Sequence, residues 1–381
     1  MKYQYNLYPE RNSDYLHSMN LNSYDRSAAY TFDKRDARKS VSKLFLAATA
    51  YILIATILIS IVEIGMIIFL GNDAALSLFS DPSFLLLLQV VTMYLIAFPI
   101  FLVMTKGLTR KSDFDYIERH SLGYNGFYEK MNNKEYRDGI SFKEFIGLFF
   151  VCYSVMIFGS IISETLISIL SGILGHNISN ATSDLLLDTP IGIVILVAVV
   201  IGPIVEELMF RKVFIDVLGV YGQKFGIVLS SLAFGFFHGN LSQLLFATLL
   251  GFILGYIYTK TGRITLTIIM HMLVNFFGTV PTLLATESLN RVSEAELNGT
   301  LDSIATSDLL SVYGLMLMQY GFAIIGIIVF IKCIKNGVYS LNNECPIRIP
   351  ASKVPRIAFF NLGVLCFYAF ALIQILLSLT I

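Results

Sequence analysis

The chain of 381 residues is 55% hydrophobic and only 14% charged, with a mean hydropathy of +0.70, and this excludes an ordinary soluble enzyme. Its 27 basic and 27 acidic residues cancel, and no basic cluster is interleaved with aromatics, so nucleic acid is not expected as a partner. Four cysteines (Cys152, Cys333, Cys345 and Cys366) lack CxxC spacing and read as small apolar fillers.

In chain order, residues 1–42 are polar and tyrosine-rich, without the basic-then-apolar layout of a cleaved signal peptide, and are expected to form a cytoplasmic tail. Residues 43–381 follow as one transmembrane domain. Nine apolar stretches recur in it, at about 44–70, 84–104, 145–174, 190–219, 225–238, 243–259, 264–282, 309–331 and 357–380. Each is expected to be a helix, because lipid offers no partner to free backbone groups and no alternating strand pattern is present. The fifth and sixth are short and separated only by Gly239, Asn240, Leu241 and Ser242, so eight to nine crossings are expected. The fold class is an all-α polytopic transmembrane bundle.

The loops alternate in charge. Lys34, Arg35, Arg38 and Lys39 precede the first span, whereas 71–83 has no base; 105–144 carries eight bases from Lys106 to Lys143, whereas 175–189 has none. Lys224, then Lys260 with Arg263, then Lys332, Lys335, Arg348, Lys353 and Arg356 continue the basic side, and 283–308 holds Arg291 among acids. Basic loops stay in the cytoplasm, so the N-terminus is expected inside.

Ionisable residues are costly within a bilayer and demand a partner or a task. The fourth span contains Gly202-Pro203-Ile204-Val205-Glu206-Glu207-Leu208-Met209-Phe210-Arg211, the fifth ends Phe234-Gly235-Phe236-Phe237-His238, and the seventh contains His271-Met272-Leu273-Val274-Asn275. Neighbouring helical residues point about 100° apart, so Glu206 and Glu207 cannot do the same work. Glu207 and Arg211 stand at i,i+4 in the favoured order and are expected to pair, leaving Glu206 facing elsewhere; His271 and Asn275 share a face. One free carboxylate, two imidazoles and a carboxamide meet the needs of amide hydrolysis: Glu206 as base for water, His238 to position it, His271 and Asn275 as oxyanion donors. A glutamate and two histidines (Glu206, His238, His271) are also a catalytic zinc set, although no HExxH is present. Glu63 and Glu164 have no motif around them and are expected to face the bundle interior or water, and Gln89 to bond between helices.

The three segments resemble the CAAX protease and bacteriocin-processing (CPBP, or Abi) intramembrane proteases, which include the type II CAAX prenyl endopeptidases. The likeness rests on EExxxR at Glu206 to Arg211, FxxxH at Phe234 to His238 and HxxxN/D at His271 to Asn275, in that order on separate spans, and covers roughly residues 145–282. It implies a helical bundle in a bacterial cell membrane, with an intramembrane cavity open to the cytosolic side and the bilayer. It also implies endoproteolysis of membrane-associated peptides or lipidated, prenylated proteins by a water that Glu206 and His238 activate, while His271 and Asn275 stabilise the oxyanion. Glu207, Arg211 and Phe234 are expected to be structural. No cofactor is needed on this reading, with zinc as the alternative. A catalytically silent scaffold or immunity protein of the same fold is the competing function, and a transporter the third.

Overall fold

The computed structural model describes residues 34–110, 140–300, 302, 304–335 and 349–380. Among them the ordered elements are helices. In order they are α1 (Lys34–Leu70), α2 (Asn72–Phe79), α3 (Pro82–Thr105), α4 (Phe142–Leu174), α5 (Ala181–Leu187), α6 (Ile191–Tyr221), α7 (Gln223–Phe237), α8 (Leu241–Thr261), α9 (Ile264–Asn298), α10 (Thr306–Lys335), α11 (Val354–Ala358) and α12 (Leu362–Ser378).

The helix ends are written in the local sequence. Asp81 caps α3 by accepting from the Ser83 amide at 2.8 Å, with Pro82 in the first turn where its missing N–H costs nothing. Ser141 and Glu144 form a reciprocal capping box on α4, which stops at Gly175 in the left-handed region. Asn240 caps α8 by accepting from the Gln243 amide at 2.9 Å.

Seven of the helices are long and apolar enough to cross a membrane, and α12 with the turn before it makes an eighth across a 49° bend. The protein is an integral membrane protein. All nine apolar stretches are helical, but α7 has 15 residues and extends only about 22 Å, short of a hydrocarbon core. The turn at Gly239 (φ +65°) returns the chain directly into α8.

Two boundaries differ from expectation. Helix α1 already begins at Lys34, so residues 34–42 of the expected tail are helical and continuous with the first span, while residues 1–33 lie outside the described residues. Helix α9 runs to Asn298, well past 282, because residues 283–298 are rich in Leu, Ala and Glu: polar enough to leave the membrane, yet good helix formers in water.

The interior has two main parts. Aromatic residues from α1, α3, α6 and α12 knit the larger, with Phe45 against Phe214 and Phe367 at 5.4 and 5.5 Å between ring centres. The smaller joins α4, α8 and α9 with α10 packed against them, and there Phe149, Phe277 and Phe322 meet edge to face. A glycine on α10 lets it lie on α4: Gly326 sits against Phe150 and Ser154 with no room for a Cβ, and the Ser154 hydroxyl donates to Ala323 O.

Candidate active site

Helix α6 is irregular where the motif lies. Residues 195–201 and 208–215 are π-helical and flank the α-helical stretch Gly202–Glu207. Such wider turns mark functional sites often enough to be informative. In the first, the Gly202 amide donates to Val197 O, five residues back. Continuing that register would pair residue 203 with Ala198 O, but Pro203 has no N–H. The Asn275 side chain takes its place: Nδ2 donates to Ala198 O at 2.9 Å and ties α9 to α6 at the break.

The two glutamates part company as the helical spacing requires. Glu207 is fully buried and accepts from Arg211 Nε at 3.1 Å, with Arg211 also fully buried. The guanidinium is held further by Ser230, whose hydroxyl accepts from Nη1 at 3.4 Å and donates to Phe210 O at 2.6 Å, and by the Phe234 ring, 4.9 Å from Cζ. Neither residue can be exchanged alone without stranding a charge in apolar surroundings.

Glu207 has a second partner that spacing did not disclose. Its Oε1 accepts from His271 Nδ1 at 3.1 Å. The opposite nitrogen, Nε2, then faces Glu206 Oε2 at 3.8 Å. A polar chain therefore runs from Arg211 through Glu207 and His271 to Glu206, whose side chain keeps 18% of its surface open. Glu206 is the member that reaches free space.

His238 is oriented independently. Its Nδ1 lies 2.9 Å from Phe234 O, and a carbonyl only accepts, so Nδ1 carries the hydrogen and Nε2 of the neutral ring is an acceptor. The Phe234 ring stands edge-on between the two imidazoles, 5.0 Å from His238 and 5.7 Å from His271. Phe234 is thus a spacer.

Glu206, His238, His271 and Asn275 all line one cavity of about 990 Å³. Glu207 and Arg211 stand behind its wall. Sequence reasoning missed Tyr94: a Cβ on Gly202 would meet the Tyr94 hydroxyl at 3.3 Å and Glu206 Oε1 at 3.8 Å, so the glycine keeps open the space these two groups share. Glu164 also lines the cavity, as an exposed side chain accepting from Asn180 Nδ2 at 3.2 Å. Gln89 lines it too, but donates to Met93 Sδ in its own helix rather than to a neighbour. Glu63 lies on the open surface of α1.

The zinc alternative finds no support in the donor set. Among the described residues no three His, Cys, Asp or Glu side chains, Glu206, His238 and His271 included, are arranged to hold a metal ion. His271 also directs one ring nitrogen at Glu207, and Glu207 is already paired with Arg211.

A polytopic helical membrane protein with acid, base and amide side chains gathered on one cavity wall is the class that the fold and this geometry define. Comparison with known proteins narrows the class. Residues 189–277, which hold all three motifs, match the family described as type II CAAX prenyl endopeptidase Rce1-like. A protein of Bacillus subtilis (strain 168) named as a membrane peptidase, YdiL, is 32% identical over 108 residues, covering 27% of this chain and 43% of its own length. The membrane-embedded CAAX protease MroQ of Staphylococcus aureus (strain USA300) is 31% identical over 154 residues, 37% of this chain and 59% of its own. The chain thus matches about half the length of these curated relatives. No solved structure matches it. Residues 189 to 277 are thus similar to the Rce1-like CAAX prenyl endopeptidases, the likeness that the three motifs led one to expect.

Proposed function

We propose that the protein is an intramembrane endopeptidase acting on membrane-associated peptides, CAAX-type lipidated proteins among the candidates. The polar chain that ends on the open carboxylate of Glu206 carries this reading. Water held between Glu206 and the bare Nε2 of His238 gives one proton to Glu206 as its oxygen attacks the peptide carbonyl. The oxyanion receives the second N–H of Asn275, and that of His271 Nε2 when the ring carries both protons beside Glu207. Collapse of the tetrahedral intermediate breaks the C–N bond, and the proton on Glu206 passes to the leaving amine. No metal takes part in this reading.

The test is hydrolysis in lipid. Wild-type protein is reconstituted and offered a mixed library of prenylated and transmembrane peptides, and new termini are read by mass spectrometry with and without a chelator. New termini at the same rate in both arms are expected. Loss of cutting under chelation would return the mechanism to zinc, and no cutting in either arm would favour a silent scaffold of the same fold.

A further inference from the structure

The first turns of α1 and the start of α12 are pinned together at the basic side of the bundle. Asn361, 1% exposed, donates from Nδ2 to Arg38 O at 2.8 Å, and the Gly363 amide donates to the Ser42 hydroxyl at 3.1 Å. Only glycine fits at 363, because a Cβ there would overlap the Ser42 backbone. Ala37, Val41, Ile357 and Ala358 are buried along the same seam.

This seam gathers bases from both ends of the chain. Lys34 and Arg38 belong to α1, Arg356 lies in α11 and Lys353 immediately precedes it; Arg356, Lys353 and Arg38 all act on Lys34 as like charges. Among the described residues no carboxylate, Asp36 included, lies within ion-pair distance of any of the four. Other bases of this chain are answered: Lys212 meets Asp216 at 3.0 Å and Arg291 meets Asp308 at 2.7 Å. Like charges brought together by folding repel until an anion joins them. Just beyond Arg356, at the 49° bend between α11 and α12, Phe359, Phe360 and Leu362 are 44, 68 and 69% exposed. Bases beside exposed aromatics match the boundary between headgroups and acyl chains.

We propose that this seam binds an anionic phospholipid from the leaflet on the basic side of the bundle. Its phosphodiester is held among Lys34, Arg38, Lys353 and Arg356, and its acyl chains lie against Phe359, Phe360 and Leu362. A choline headgroup is a poor occupant, because its ammonium brings a further positive charge into the cluster. The site is independent of whether Glu206 cuts a peptide.

The full chain in neutral detergent is the test, its thermal midpoint measured with phosphatidylglycerol, phosphatidylcholine or inorganic phosphate added at equal concentration. Phosphatidylglycerol should raise the midpoint and the other two should not. The rise should be lost in Lys353→Gln/Arg356→Gln but kept in Lys332→Gln/Lys335→Gln, which removes equal charge from the last turn of α10. An equal rise with phosphatidylcholine or with phosphate alone overturns the proposal, as does a rise that both variants keep or both lose. Native mass spectrometry of the wild type gives a readout free of any variant's folding. From an equal mixture, phosphatidylglycerol should be retained over phosphatidylcholine by at least about fivefold, the factor that one base near an anionic surface supplies. Equal retention overturns the proposal.

Discussion

Glu206 and Glu207 are adjacent in sequence and opposite in circumstance. One turn of α6 sends Glu207 into a fully buried pair with Arg211 and leaves Glu206 at the cavity wall. That division was legible from the i,i+4 spacing, because helical geometry alone forces it. The bond from Glu207 to His271 was not, since 64 residues separate them and only the packing of α9 on α6 brings them together. Tyr94 was equally hidden, as a tyrosine in an apolar span carries no local signal. The pair predicts its own sensitivity. Glu207→Gln strands the Arg211 guanidinium and should destabilise the protein by about 3–5 kcal/mol, seen as a lowered thermal midpoint in detergent. An unchanged midpoint would mean that Arg211 finds another anion and that Glu207 is not its anchor.

At the level of elements, the break in α6 and the hold of Asn275 are one device. The i,i+5 register brings Ala198 O opposite a proline, and a carboxamide from another helix supplies the missing donor. Gly202-Pro203 announced a disturbed helix, but nothing in the sequence told which side chain would complete it. A double-mutant cycle reads the device. Asn275→Ala should cost about 1–3 kcal/mol in the wild type by leaving the half-buried Ala198 carbonyl unpaired. In a Pro203→Ala background, where residue 203 regains its N–H, the same change should cost markedly less, giving a coupling of at least about 0.5 kcal/mol by thermal unfolding. Strict additivity would show that the proline and the asparagine act independently.

For the whole molecule, the apolar stretches made the helical membrane bundle readable, since lipid tolerates so few alternatives, and the three motifs named residues that the structure brings to one cavity. What escaped was whatever hydropathy does not encode. Residues 283–298 are polar and continue α9 beyond the apolar stretch, and α5 lies inside what reads as a loop. Asn180, at the start of α5, accepts from Ser242 at 3.2 Å while donating to Glu164, so this segment is bound to the turn that carries His238.

The central claim is that Glu206 does chemistry while its neighbour holds the architecture. The most direct measurement is the cleavage rate of Glu206→Gln against wild type on a peptide the wild type cuts, in the same lipid, with thermal midpoints recorded for both. The account predicts a loss of about 10²-fold or more in kcat with an unchanged midpoint, because amide replaces carboxylate without stranding a charge. A Glu206→Gln protein that cuts within a few fold of the wild-type rate would contradict it.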